Sequence, residues 1–265
     1  MKTKLHWVIF ILIITTLVFL VTATASMMIP ANDKARENAG VAVDKSPVID
    51  GDWALPTPPG LEKIEFIHYK DGKVKVLGGA PKAPTCYKFI TTTKIRWTAL
   101  PVNYVINPTN PQALDENFIA SAVFNSAETW DARTSKELIN NIYTIDYSAK
   151  YGVQNYKNAV SFGNYPTTGV IAVTSVWYNP ATKAIVEFDV MFDTDWTWGD
   201  ATIDSSKMDL QNIATHELGH GVGLGDVYDS VCSAVTMYGY SNYGETQKRT
   251  LETPDIRGLQ ILYGA

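Results

Sequence analysis

The run His216-Glu217-Leu218-Gly219-His220 places two imidazoles four positions apart, with a carboxylate directly after the first. On an α-helix, residues i and i+4 stand one turn apart on the same face, so both rings can reach one divalent ion. Glu217 projects about 100° further round the helix, beside such an ion rather than onto it. A carboxylate in that place is suited to take a proton from a water that the metal has polarised. The spacing therefore predicts a metal site with His216 and His220 as ligands and Glu217 as general base.

A catalytic zinc ordinarily has three protein ligands, and the chain has only four histidines. His6 and His68 lie far upstream, so a carboxylate is expected as the third ligand. Gly223 follows His220 at a distance where a helix could end in a left-handed turn, which suits glycine best. Such a turn would swing Asp226 back toward the metal. Glu245 and Glu252 are the alternatives further along, and the spacing from the glycine favours Asp226.

These side chains need a helix over residues 207–222, capped by Asp204-Ser205-Ser206, with Leu210, Ile213, Ala214, Leu218 and Val222 as its core-facing band. His216 and His220 then face a cleft. Upstream, residues 101–107 read as a strand stopped at Asn107-Pro108, and residues 114–132 as a helix. Short strands are expected at 142–147 and 159–162, and a longer one at 169–177. Over 184–192, Val186, Phe188, Val190 and Phe192 alternate with Glu187 and Asp189, which places the acids on the opposite side. A closing helix starts with Thr253 as cap and Pro254 at its first position, burying Ile256, Leu259 and Leu262 or Tyr263.

Together with Val235-Thr236-Met237-Tyr238, these residues resemble the metzincin zinc endopeptidases, in which H-E-x-x-H-x-x-G-x-x-H is followed by a methionine turn. Aspartate stands here in place of the third histidine. The tail Pro254-Asp255-Ile256-Arg257-Gly258-Leu259-Gln260-Ile261-Leu262-Tyr263-Gly264 is similar to the closing helix of the matrixin branch. The resemblance covers residues 83–265 and implies a single α+β catalytic domain. Its expected parts are a twisted, mostly parallel sheet with an antiparallel edge strand, an active-site helix, a methionine turn and a C-terminal helix.

The same resemblance implies hydrolysis of peptide bonds with Zn²⁺ as cofactor, and protein or peptide substrate bound as an extended strand against residues 169–177. Met237 would form an apolar floor, and Tyr238 would shape the pocket for the residue after the cut. Gly239 occupies the place of the ligating tyrosine of some metzincins, so no tyrosine ligand is expected. Structural Ca²⁺ near Asp193-Thr194-Asp195 is a further implication. The competing reading is a zinc-bound extracellular binding module without catalysis. Glu217 argues against it, because a structural zinc gains little from a base beside an open position.

Hydrophobic content of 46% suits a globular core, and a net charge of −5 without a basic run speaks against nucleic-acid binding. Lys2 and Lys4, an apolar run over 7–21 and Ala23-Thr24-Ala25 read as a signal peptide over residues 1–25. The protein is then secreted, and it would be tied to a membrane only if that segment stayed uncleaved. Residues 26–82, centred on Pro56-Thr57-Pro58-Pro59-Gly60, read as a prosegment or linker. Within them Ile64-Glu65-Phe66-Ile67-His68-Tyr69 could add one strand, with His68 a strand residue rather than a ligand. Crossing the cleft, such a peptide could delay activity until removed. The two cysteines, Cys86 and Cys232, fit one disulfide in an exported chain. The alternative is that Cys86 ligates the metal and keeps the protein latent. A monomer is expected.

Overall fold

A computed structural model describes residues 57–70 and 85–265. The signal-peptide reading of residues 1–25 and most of the 26–82 stretch fall outside the described residues. In chain order the elements are β1 Glu62–Lys70, β2 Lys88–Phe89, β3 Tyr104–Ile106, α1 Glu116–Asp131, β4 Thr144–Ile145 and β5 Asn158–Gly163. Then come β6 Val170–Asn179, β7 Ala184–Asp193, β8 Trp198–Gly199, β9 Met208–Asp209, α2 Leu210–Gly221, β10 Leu224–Gly225, β11 Tyr240–Ser241 and α3 Thr253–Tyr263.

Seven strands form the main sheet in the order β11-β1-β6-β7-β5-β3-β4. Strands β4, β3, β5 and β7 run parallel, and β6 lies antiparallel on β7. This is the mixed, mostly parallel sheet that the resemblance implied. Because side chains alternate along a strand, the sheet feeds two cores. On one face Ile106, Val160, Phe188 and Val190 pack with Ile119, Val123 and Trp130 of α1 and Ile213 and Leu218 of α2. The other face carries a smaller cluster of Ile67, Tyr151, Tyr165, Val173 and Met191.

Strand β6 is not an edge. Its outer side is paired antiparallel by β1, from Glu62 opposite Tyr178 to Tyr69 opposite Val170, and β1 in turn runs parallel to β11. The strand expected around residues 64–69 thus exists, and it is built into the sheet.

Glu187 and Asp189, expected only to face away from Phe188 and Val190, are both fully buried. Backbone N–H groups explain this: Asn155 and Tyr156 donate to Glu187, and Gly152 and Ala159 donate to Asp189. The loop that crosses this face needs acceptors for amides removed from water, and the two carboxylates provide them.

Helix boundaries shift for similar reasons. The active-site helix begins at Leu210 rather than 207, with Asp209 accepting from Asn212 N at 2.8 Å. Asp204 instead closes a local turn by accepting from Ser206 N. Asp209 is the stronger cap because Arg249 also grips its carboxylate from a distant part of the chain. Helix α1 lies inside its expected range, capped by Asp115. Helix α3 is capped by Glu252, one position before the Thr253 expected, a shift within the ordinary ambiguity of helix ends.

Cys86 and Cys232 form a disulfide across a sequence separation of 146. A bonded sulfur has no thiolate to offer a metal, so the latching role for Cys86 is set aside. The bond ties the start of the described domain to the loop between Asp226 and Met237, beside buried Val227 and Val235. Closing so long a loop restricts the unfolded chain. Its removal as Cys86→Ser/Cys232→Ser should cost roughly 2–5 kcal/mol, lowering the thermal midpoint in calorimetry. An unchanged midpoint would contradict that role.

Candidate metal centre

Helix α2 carries His216, Glu217 and His220 into the interior, where all three are buried. Its position is set by close packing at Gly219. A Cβ there would lie 2.3 Å from Met237 Sδ and 2.7 Å from the Trp130 ring, so the absent side chain lets the methionine approach the helix between the two histidines. Trp130 Nε1 donates to the Thr215 carbonyl at 2.8 Å and fixes the same turn from behind. The helix ends as expected at Gly223, with φ of +104° and Ile95 O only 2.9 Å from where a Cβ would stand. The chain then returns through β10 to Asp226.

Each imidazole is oriented by a backbone carbonyl. His216 Nδ1 lies 2.7 Å from Thr236 O, and His220 Nδ1 lies 2.8 Å from Leu224 O. Carbonyl oxygens only accept, so both rings carry a proton on Nδ1 and present an Nε2 lone pair inward. The two Nε2 atoms stand 3.1 Å and 3.5 Å from Asp226 Oδ1. All three atoms are buried, and none receives a hydrogen bond. Three acceptors converging without a donor are unfavourable in a protein interior unless a cation joins them. Tetrahedral zinc with N and O ligands at about 2.0–2.1 Å would hold neighbouring ligand atoms about 3.3 Å apart, so the trio fits that ion.

Burial and mutual contact also shift the titration of all three groups. Burial pulls His216 down to about 4, although the Asp226 carboxylate acts against it. Burial also lowers His220, but Asp226 and Glu217 more than offset this and leave it raised. Asp226, pushed up by burial, is held well below the usual carboxylate range by the two histidines.

Several supporting residues left no sequence signal. Tyr228 OH donates to Asp226 Oδ2 at 3.0 Å, leaving Oδ1 for the trio. Gly239 permits this, since a Cβ there would lie 2.3 Å from the Tyr228 ring. Asp255, in the first turn of α3, accepts from Thr236 N and Met237 N and so anchors the methionine turn beside the site. The carboxylate alternatives stand elsewhere. Glu252 is at the N-cap of α3, and neither it nor Glu245 belongs to the groups of possible metal ligands among the described residues.

Glu217 lies beside the trio. Burial raises it to about 7. Thr174 Oγ1 of β6 donates to its Oε2 at 2.6 Å, and His68 Nδ1 of β1 lies 3.1 Å from its Oε1. His68 is therefore a strand residue, as expected, and one that reaches the centre. Its alternation with Ile64 and Phe66 was visible in the sequence, whereas the strand it pairs with was not.

A glycine-terminated helix with two inward imidazoles, a returning carboxylate and a methionine packed beneath defines a metzincin-type centre. The matrixin family model (peptidase M10) matches residues 96–264, and the chain belongs to that family. Among curated relatives, the hatching enzyme of Paracentrotus lividus is 27% identical over 185 residues, covering 69% of this chain and 28% of that protein. Human matrilysin is 41% identical over 76 residues, 29% of this chain and 27% of its own length. Human matrix metalloproteinase-25 is 31% identical over 111 residues, 42% of this chain and 19% of that protein. The chain thus spans less than a third of the length of these relatives. Among the described residues no helix is long and apolar enough to cross a membrane.

Proposed function

We propose that the chain is a secreted zinc-dependent endopeptidase, with His216, His220 and Asp226 as metal ligands and Glu217 as general base. The observation that carries this reading is the convergence of three buried, donor-free ligand atoms beside a carboxyl raised to about 7. Zinc, when bound there, supplies a Lewis acid that polarises the scissile carbonyl and acidifies water.

Glu217 takes a proton from the attacking water as its oxygen bonds to the carbonyl carbon. It returns that proton to the amine nitrogen as the carbon–nitrogen bond breaks, so one water is added across one peptide bond. A carboxyl near neutrality can both take and give a proton at ordinary pH. Thr174 holds the carboxylate in place, Tyr228 turns Asp226, and the Thr236 and Leu224 carbonyls keep both imidazoles in the tautomer a metal needs. Met237 closes the site from below and keeps water out.

Protein or peptide substrate would lie extended along β6 in the place that β1 holds, where backbone hydrogen bonds supply affinity once β1 gives way. Residues 1–25 would direct export. Calcium is not part of the reading: both Asp193 carboxylate oxygens already accept backbone N–H, from Asp195 and Tyr165, and brace the turn. The binding-module alternative gives no use to Glu217, a buried carboxyl placed beside the ligands.

Incubating the exported protein with a mixed peptide library and sequencing the products tests the reading. Internal cuts should appear, disappear with a zinc chelator and return when zinc is restored. Cutting that is indifferent to the chelator would refute it.

A further inference from the structure

A second concave site, with a volume of about 670 Å³, lies between the start of α1 and the loop that leads into α2. Neither the metal ligands nor their hydrogen-bond partners line it. Phe118, Trp196 and Trp198 give it an apolar surface, and Ile203 adds to this while 85% exposed. Gln112 braces both tryptophans: its Nε2 donates to the Trp196 carbonyl, and its Oε1 accepts from Trp198 N at 3.0 Å. The indole of Trp198 donates to Asp193 O at 2.7 Å, and that of Trp196 donates to Val170 O. With both indoles engaged, the site has its shape before anything enters it.

Four carboxylates, Asp115, Asp195, Asp200 and Asp204, surround this apolar surface against one cation, Lys207. Arg249 pairs with Asp200, and Lys207 stands 3.9 Å from Asp204. Asp115 and Asp195 have no ion-pair partner among the described residues. None of the four belongs to the groups that could hold a metal ion. Positive charge spread along a chain suits them, and a single ion does not. One such cation already stands on the same wall, since Lys70 Nζ lies 5.5 Å from the Trp196 ring and 5.4 Å from the Tyr243 ring.

Trp196 also links the site to the peptide's path. The carbonyl that its indole meets belongs to Val170, the first residue of β6. A peptide extended along β6 therefore leaves that strand beside Trp196.

We propose that this pocket docks a basic segment of the protein substrate, with lysine or arginine beside aliphatic residues, lying beyond the part bound along β6. The aliphatic side chains fill the space against Phe118, Trp198 and Ile203, and the cations meet Asp115, Asp195 and the Trp196 ring. That the segment belongs to a substrate rests on the peptidase reading; the pocket and its charge preference do not.

Two measurements on the full zinc-loaded chain test this. A labelled Lys-Leu-Lys-Leu-Lys peptide, followed by fluorescence anisotropy, should bind saturably at low salt, and a Glu-Leu-Glu-Leu-Glu peptide should not. The double variant Asp195→Asn/Ile203→Ser should weaken that binding about 5-fold or more. Both side chains are exposed, and the bond from Asp195 N to Asp193 survives the change. In turnover, the same basic residues are attached to either end of a short neutral peptide. From one end they should lower KM about 5-fold with kcat unchanged. The double variant should lose that gain and cleave the bare peptide at the parent rate. No saturable binding, or binding indifferent to the double variant, overturns the inference while the peptidase reading stands. Variant-sensitive binding with a KM that neither end lowers keeps the pocket and overturns the substrate as its occupant. If the chain cleaves no peptide at all, the peptidase reading fails and anisotropy alone decides for the pocket. A dimer in sedimentation velocity that the double variant dissolves would make a second copy of the chain the occupant and overturn the proposal.

Discussion

Glu217→Ala should bind one zinc per chain, as the parent does, and cleave peptides at least about 10²–10⁴-fold more slowly. The two outcomes separate because Glu217 is not among the three atoms that converge. His216 and His220 keep their carbonyl partners, and Asp226 keeps Tyr228, whether or not residue 217 has a carboxyl. Catalysis alone loses the group that moves the proton. Glu217→Gln keeps the shape and the bond from Thr174, and it should be equally impaired. Zinc content by atomic absorption, beside rates on casein, measures both quantities. If parent and variant cleave casein equally slowly with zinc in place, the chain is a binding module on a peptidase fold.

Asp226→Ala should lose the metal itself. Two imidazoles would remain, and the negative charge that makes the trio a cation site would be gone. The loss in zinc affinity should exceed the roughly 10–100-fold that follows removal of a partner one step further from a metal. After dialysis the variant should hold well under one zinc per chain, while Glu245→Ala and Glu252→Ala should hold as much as the parent. Retention of full zinc by Asp226→Ala, or its loss from Glu245→Ala, would assign the third ligand elsewhere.

Much of the centre was legible in local spacing. Two histidines one helical turn apart, a glycine where the helix must stop and an aspartate three residues beyond it are short-range features, and the chain folds them as read. Most strands of the wider sheet followed from alternation and turn residues, while their mostly parallel arrangement was what the family resemblance implied. What escaped depends on distant partners. Asp209 rather than Asp204 caps α2 because Arg249, forty positions away, holds it. Glu187 and Asp189 look like solvent-facing positions until the loop over residues 150–157 covers them. Tyr228 meets Asp226 only because Gly239 leaves room. Strand β1 could be read from its composition, but its place against β6, and so the reach of His68 to Glu217, depends on pairing that no periodicity encodes.

Anomalous diffraction at the zinc edge from crystals grown with the metal is the most direct measurement. One peak is expected, within bonding distance of His216 Nε2, His220 Nε2 and Asp226 Oδ1, with Glu217 beside it and not attached. No peak at that point, or one from which Asp226 is turned away, would contradict the account.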